Sequence, residues 1–123
     1  MTKKILIIDD EIDIRESIKM LIEVIGFETK TTDDGNKAIN MLKKEKFDLV
    51  LLDMLMPKIS GIKTLEKIRK DSKIKNQKVA FLTVVGLNQA GKNVVKKLNP
   101  VGYIEKPIDN DEFKKKITKI LGL

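Results

Sequence analysis

Leu49-Val50-Leu51-Leu52-Asp53-Met54-Leu55-Met56-Pro57 is the stretch that decides the fold. Four consecutive apolar residues suit a strand buried on both faces, which is how a central strand of a helix-covered parallel sheet reads. Three more runs share the pattern. Ile5 to Ile8 ends at Asp9 and Asp10, Val79 to Leu82 ends at Thr83, and Val101 to Ile104 leads to Glu105, Lys106 and Pro107. In an open parallel sheet the carboxyl ends of the strands lie along one edge, where ligands bind. Three carboxylates, a hydroxyl and an ammonium are therefore expected at one spot.

Helical spacing fills the intervals between these runs. Ile14, Ile18, Leu21, Ile22 and Ile25 mark a helix over 13–25, with Asp13 and Glu16 spaced as a capping box and Gly26 as its stop. Glu28 to Thr32 is a β-branched strand candidate. A helix over 35–45, entered from Asp33 and Asp34, turns Ala38, Ile39 and Leu42 inward, and one near 62–71 buries Ile62, Leu65 and Ile68. A helix over 87–98 turns Ala90, Val94 and Leu98 inward and carries Gly91, which costs about 1 kcal/mol against Ala there. The last helix opens on Asp109 and Glu112 in capping-box spacing and buries Phe113, Ile117, Ile120 and Leu121. The alternation predicts an α/β domain of (βα)5 type, with helices on both faces of a parallel sheet.

Composition narrows the function. The chain has 123 residues, 41% of them hydrophobic, which suits one globular domain with a substantial core. No apolar run approaches the roughly 18 residues of a membrane span, and the N-terminus does not read as a signal peptide. A cytoplasmic protein with no membrane partner is the expectation. The chain has no cysteine, which excludes disulfides and thiolate metal sites. It also has no histidine, so zinc hydrolysis and histidine-assisted nucleophilic catalysis are poor readings.

The net charge of +7 is unevenly spread. Residues 1–57 hold 12 acids against 9 bases, and residues 58–123 hold 6 acids against 16 bases. A nucleic-acid surface is one reading of the basic half. Solvated lysines are the preferred one, since neither aromatic interleaving nor an arginine stripe accompanies them.

With these residues in view, the whole chain resembles the receiver domain of two-component response regulators. The resemblance rests on Asp9-Asp10-Glu11 after the first strand and on Asp53-Met54-Leu55-Met56-Pro57-Lys58-Ile59-Ser60-Gly61 after the third. Thr83 after the fourth strand and Lys106-Pro107 after the fifth complete it. Taken singly, Asp9 or Asp10 reads equally well as an anion at a helix start, Thr83 as an ordinary strand end and Lys106 as a surface lysine. Their joint order is what carries the likeness. It implies one receiver domain over 1–123, a flavodoxin-like three-layer sandwich with strand order 2-1-3-4-5, and structural roles for Pro57, Gly61 and a cis Lys106-Pro107 bond.

The resemblance also implies a chemistry. Asp9, Asp10 and Asp53 bring three negative charges into one crevice, and a divalent cation with Lys106 balances them. Hard oxygen ligands suit Mg²⁺, with Mn²⁺ as a substitute ion. The family pattern assigns the metal to Asp10 and Asp53, to Asp9 partly through water, and to the backbone carbonyl of Leu55. Asp53 is then the phosphoacceptor, served by a histidine kinase or a histidine phosphotransfer protein. Lys106 and Thr83 contact the phosphoryl group, and Thr83 with Tyr103, the only tyrosine, forms the switch. Tyr103 also reads as a half-buried ring at a strand edge.

Output to a protein effector is expected through 87–98, 101–104 and 109–121. No DNA-binding domain is expected, because Leu123 directly follows the last helix. The domain modifies only itself and is not expected to be a conventional enzyme; a phosphorylation-independent adaptor is the alternative. Two departures from the family pattern stand out. Val84 replaces the usual small residue beside Thr83. Val101 and Gly102 stand where common DNA-binding regulators carry aspartates for dimer pairing.

Overall fold

The computed structural model describes residues 2–83, 93 and 95–123. Five strands form one all-parallel sheet: β1 (Lys4–Ile8), β2 (Glu28–Thr32), β3 (Leu49–Asp53), β4 (Val79–Thr83) and β5 (Gly102–Glu105), in the order β2-β1-β3-β4-β5. The helices with full bounds are α1 (Ile12–Ile25), α2 (Gly35–Lys44), α3 (Gly61–Lys70) and α4 (Asn110–Ile120). Residues 95–97 are also helical, with Val95 fully buried and Leu98 packed beside it. Asn93 is helical too, while residues 87–92 and 94 of the helix expected over 87–98, including Ala90, Gly91 and Val94, lie outside the described residues, as does Val84.

Alternation along the central strands explains the unbroken apolar runs. Leu6, Ile8, Val50, Leu52, Val79 and Phe81 face one layer with Ala38 and Leu42 of α2 and Leu65 and Ile68 of α3. Ile5, Ile7, Leu49, Leu51, Ala80 and Leu82 face the other, against Ile18 and Ile22 of α1 and Phe113 and Ile117 of α4. Successive side chains point to opposite faces, and both faces are covered, so every position must be apolar.

Two local expectations are corrected. The capping box at Asp13 and Glu16 does not form: α1 begins at Ile12 with Glu11 in the cap position and no side-chain cap bond. Asp9 organises that turn instead, its Oδ1 accepting the Glu11 N–H at 2.9 Å. The final strand runs from Gly102 to Glu105 rather than from Val101, and only Ile104 in it is buried. With β4 as its one strand neighbour, β5 is an edge, and Val101 and Tyr103 remain 41% and 40% exposed.

The other helix ends follow their local chemistry. Gly26 takes φ +105° to close α1, a conformation glycine adopts without steric cost. Asp34 accepts from Asn36 and Lys37 N–H groups, and Asp109 accepts from the Glu112 N–H. Ser60 does the same for α3 through Lys63 N–H. Arg69 of α3, not singled out in the sequence, donates to the carbonyls of Lys75, Gln77, Leu98 and Asn99, tying the approach to β4 to the end of the 95–97 turn.

Candidate functional site: an acidic crevice at the carboxyl edge of the sheet

The strand register sets the site. Ile8 lies opposite Leu52 and Thr32, Asp53 opposite Leu82, and Thr83 opposite Glu105. The residues leaving β1, β3, β4 and β5 therefore emerge on one level. Backbone bonds continue just past the strands: Asp9 N–H to Thr32 O, Met54 N–H to Leu82 O, and Lys106 N–H to Thr83 O at 2.8 Å.

Asp9, Asp10 and Asp53 each place a carboxylate oxygen within 4.8 Å of the other two. Asp9 is fully buried, Asp53 nearly so, and Asp10 is exposed. The Lys106 side chain, only 7% exposed, reaches in from β5 with Nζ at 2.7 Å from Asp9 Oδ2 and 3.5 Å from Asp53 Oδ1. The Lys106–Pro107 peptide is cis. Leu55 donates its N–H to Asp53 Oδ1 at 3.3 Å, which brings its backbone beside the acid. Thr83 joins through its strand position and its carbonyl bond to Lys106. Beside Asp10 opens a cleft of about 250 Å³, lined by Asp33, Asp34, Met56, Pro57 and Lys58. Tyr103 lies on β5, its ring stacked 6.2 Å from that of Phe81.

Gly61 holds the loop in place. A Cβ there would lie 2.1 Å from the backbone oxygen of Asp53, and its N–H donates to Met54 O at 3.0 Å. Nothing but hydrogen fits between α3 and the end of β3. Gly61→Ala is expected to cost about 1–3 kcal/mol in urea unfolding and to shift the amide resonances of Asp53 and Met54. An unchanged midpoint would contradict this packing.

Among the described residues the charges of this cluster do not balance. Three carboxylates meet one ammonium, since Lys106 is the only cation paired with them among the described residues. Burial, then the charge of Asp9, pushes the Asp53 carboxyl up to about 6, with Lys106 and the Leu55 N–H pulling the other way. Burial disfavours charge on Lys106 too, but its hydrogen bond to Asp9 and the charges of Asp53 and Asp9 outweigh that and hold the ammonium above its ordinary range. An all-oxygen donor set short of positive charge is what a hard divalent cation fits.

The Asp53 shift has a definite sign in stability. Its carboxyl titrates near 3.8 when unperturbed and near 6 in the fold, so between those values the native state holds the extra proton. Stability of the metal-free protein therefore falls as pH rises from about 4 to about 6, by about 1–3 kcal/mol from this group. The contribution of Lys106, raised in the fold, is present below its unfolded pKa and is lost only at higher, alkaline pH. Urea titrations at pH 4 and pH 7 are expected to show this loss in the wild type but not in Asp53→Asn. Equal pH dependence in the two proteins would contradict it.

Together the sheet and the crevice define an open, doubly wound α/β domain with an acidic cluster that could hold a metal ion at its carboxyl edge. The chain belongs to the response regulator receiver domain family, which it matches over residues 5–118, and so is a receiver domain of two-component systems. It is 38% identical over 125 residues to the chemotaxis protein CheY-3 of Vibrio cholerae, covering 95% of this chain and 90% of that protein. It is 32% identical over 122 residues to the transcriptional regulatory protein CrdR of Helicobacter pylori, covering 99% of this chain and 56% of that one. The chain spans about half the length of several curated relatives it matches.

Among solved structures, chemotaxis protein CheY4 of Vibrio cholerae superposes with a TM-score of 0.89 at 26% identity, over 98% of this chain and 99% of that one. A CheY-like receiver domain protein of Methanospirillum hungatei gives 0.88 at 26% identity, over 99% and 95%. The flavodoxin-like architecture and strand order expected from the sequence are those observed. No helix among the described residues is long and apolar enough to cross a membrane.

Sequence reasoning missed one participant in this region. Arg15, partly buried on α1, donates from a guanidinium nitrogen to the backbone carbonyl of Asp9 at 2.6 Å. A single arginine on an amphipathic helix carries no sequence signal that separates it from a solvated one.

Proposed function

We propose that this receiver accepts a phosphoryl group on Asp53 from the phosphohistidine of a histidine kinase or histidine phosphotransfer protein. The observation that carries the reading is the buried Asp53 carboxylate beside Asp9, Asp10 and Lys106, with too little positive charge for three acids. A resident Mg²⁺, with Mn²⁺ as a substitute, is assigned to Asp10, Asp53, Asp9 and the Leu55 carbonyl. When bound, the cation supplies neutralising charge to the oxygens of the transferring group.

Each residue has a task in this scheme. An Asp53 carboxylate oxygen bonds to phosphorus as the P–N bond breaks, and the electron pair returns to the donor's imidazole nitrogen. These 123 residues hold no histidine, so that imidazole lies outside them. Lys106, already directed between Asp9 and Asp53, follows the charge onto the phosphoryl oxygens. The Thr83 hydroxyl donates a hydrogen bond to the product, and Tyr103 follows it inward as the second half of the switch. The readout face comprises 87–98, 101–104 and 109–121 and engages a protein effector in the cytoplasm. Because the domain turns over only its own modification, it is a self-modifying switch rather than a conventional enzyme.

Incubation with acetyl phosphate tests the reading. Intact mass is expected to rise by one phosphoryl group with Mg²⁺ present and to stay unchanged with EDTA. No gain in Mg²⁺ would leave phosphorylation-independent partner binding as the function. Amide exchange over 101–104 and 109–121 is expected to change on phosphorylation; identical exchange there would remove that face from the output.

A further inference from the structure

Asp10 has an exposed side chain on a backbone that is gripped from both sides. The peptide before it presents the Asp9 carbonyl, which accepts from Arg15 at 2.6 Å. The peptide after it presents the Glu11 N–H, which donates to Asp9 Oδ1 at 2.9 Å. The Asp9 N–H is in turn bonded to Thr32 O at 3.2 Å, and Arg15 is seated on α1 by its own N–H to Glu11 O at 3.1 Å. Two of these restraints come from strand pairing and from Asp9 itself. The third comes from a single long side chain, that of Arg15.

We propose that Arg15 is a positioning residue for the cation site, setting through the Asp9 carbonyl the direction in which Asp10 presents its carboxylate. The inference rests on the magnesium reading above and adds a residue that touches neither the ion nor the phosphoryl group. Arginine suits the task because its guanidinium stays charged and its planar donors hold a fixed orientation, which a lysine ammonium does not. Groups that orient a metal ligand from behind typically change metal affinity 10–100-fold when removed.

Charge gives the test its sign. Asp33, on the rim of the adjoining cleft, is held below the usual carboxylate range first by its hydrogen bond and charge pairing with Lys37, and the charge of Arg15 adds to that pull. Arg15 is thus a positive charge close to a site for a cation. If charge were its whole contribution, removing it would tighten Mg²⁺ binding. If positioning dominates, removing it weakens binding although repulsion is relieved.

The experiment is a Mg²⁺ titration of the full chain, followed by amide chemical shifts. Arg15→Met is expected to raise the Mg²⁺ Kd about 10-fold, and Arg15→Lys, which keeps the charge but not the fork, is expected to stay weakened. In an Asp10→Asn background Arg15→Met is expected to add less than about 2-fold, because its effect passes through Asp10. A merely structural role would lower stability without this dependence on Asp10. Should Arg15→Met lose the dispersed spectrum of the folded protein, Arg15→Lys carries the same comparison. Mg²⁺ binding by Arg15→Met as tight as wild type, or tighter, overturns the proposal. Failure of the wild type to bind Mg²⁺ overturns the magnesium reading instead.

Discussion

Asp53→Asn is expected to take up no phosphoryl group from acetyl phosphate and Mg²⁺, while the wild type is expected to gain one. The substitution keeps the shape of a side chain that is 8% exposed and removes its nucleophilic oxygen. The loss is expected to exceed about 10³-fold, because positioning and charge neutralisation have no acceptor left to act on. Misfolding does not account for it. The amide relieves a buried charge that sits beside Asp9 and titrates near 6, so at pH 7 without metal the variant is expected to be more stable than wild type by about 1–3 kcal/mol. Activity and stability thus move in opposite directions, which intact mass and urea unfolding measure separately. Labelling of Asp53→Asn at the wild-type rate would place the acceptor elsewhere.

Lys106→Met has the second large effect, and it strikes both quantities in the same direction. Among the described residues, Lys106 is the only partner of the fully buried Asp9 carboxylate outside the β1–α1 turn. Removing one member of a buried, hydrogen-bonded ion pair costs about 3–5 kcal/mol, because the remaining charge is left in low dielectric. For a domain of this size that corresponds to a fall in Tm of about 10 °C or more. Added Mg²⁺ is expected to restore more stability to the variant than to the wild type. Phosphorylation at saturating Mg²⁺ is expected to fall about 10²–10³-fold, the usual loss when one charge-stabilising donor is removed. A variant that melts with the wild type in EDTA would contradict the energetic role given to the pair.

Much of this molecule is legible from its residues, for reasons that are themselves local. Leu49 to Leu52 reads as a central strand because its side chains divide between two helix layers, and both layers exist. Asp34 and Asp109 announce helix starts because a short carboxylate meets the N–H groups two or three residues on. The site is legible because the level ends of parallel strands turn sequence order into spatial neighbourhood.

What is not legible depends on distant parts of the chain. Asp13 and Glu16 have the right spacing for a cap, yet the buried Asp9 takes over the turn through contacts that spacing alone does not encode. Val101 looks like strand interior, but β5 has one strand neighbour and leaves it exposed. The resemblance names Gly61 as structural, but the reason for it, the backbone of Asp53 eight residues earlier, comes only with tertiary folding, as do the carbonyls to which Arg15 and Arg69 donate. Pattern reveals elements and their ends. Close approach and side chain to backbone bonding are revealed only by the assembled structure.

The central claim is that Asp53, rather than its neighbours in the cluster, is the atom-level target. The direct measurement is borohydride reduction of protein treated with acetyl phosphate and Mg²⁺, which converts an aspartyl phosphate to homoserine, followed by peptide sequencing in a mass spectrometer. Homoserine at position 53, and its absence when EDTA is present, is the predicted result. Homoserine at position 9 or 10, or none anywhere despite intact Mg²⁺ binding, would contradict the account.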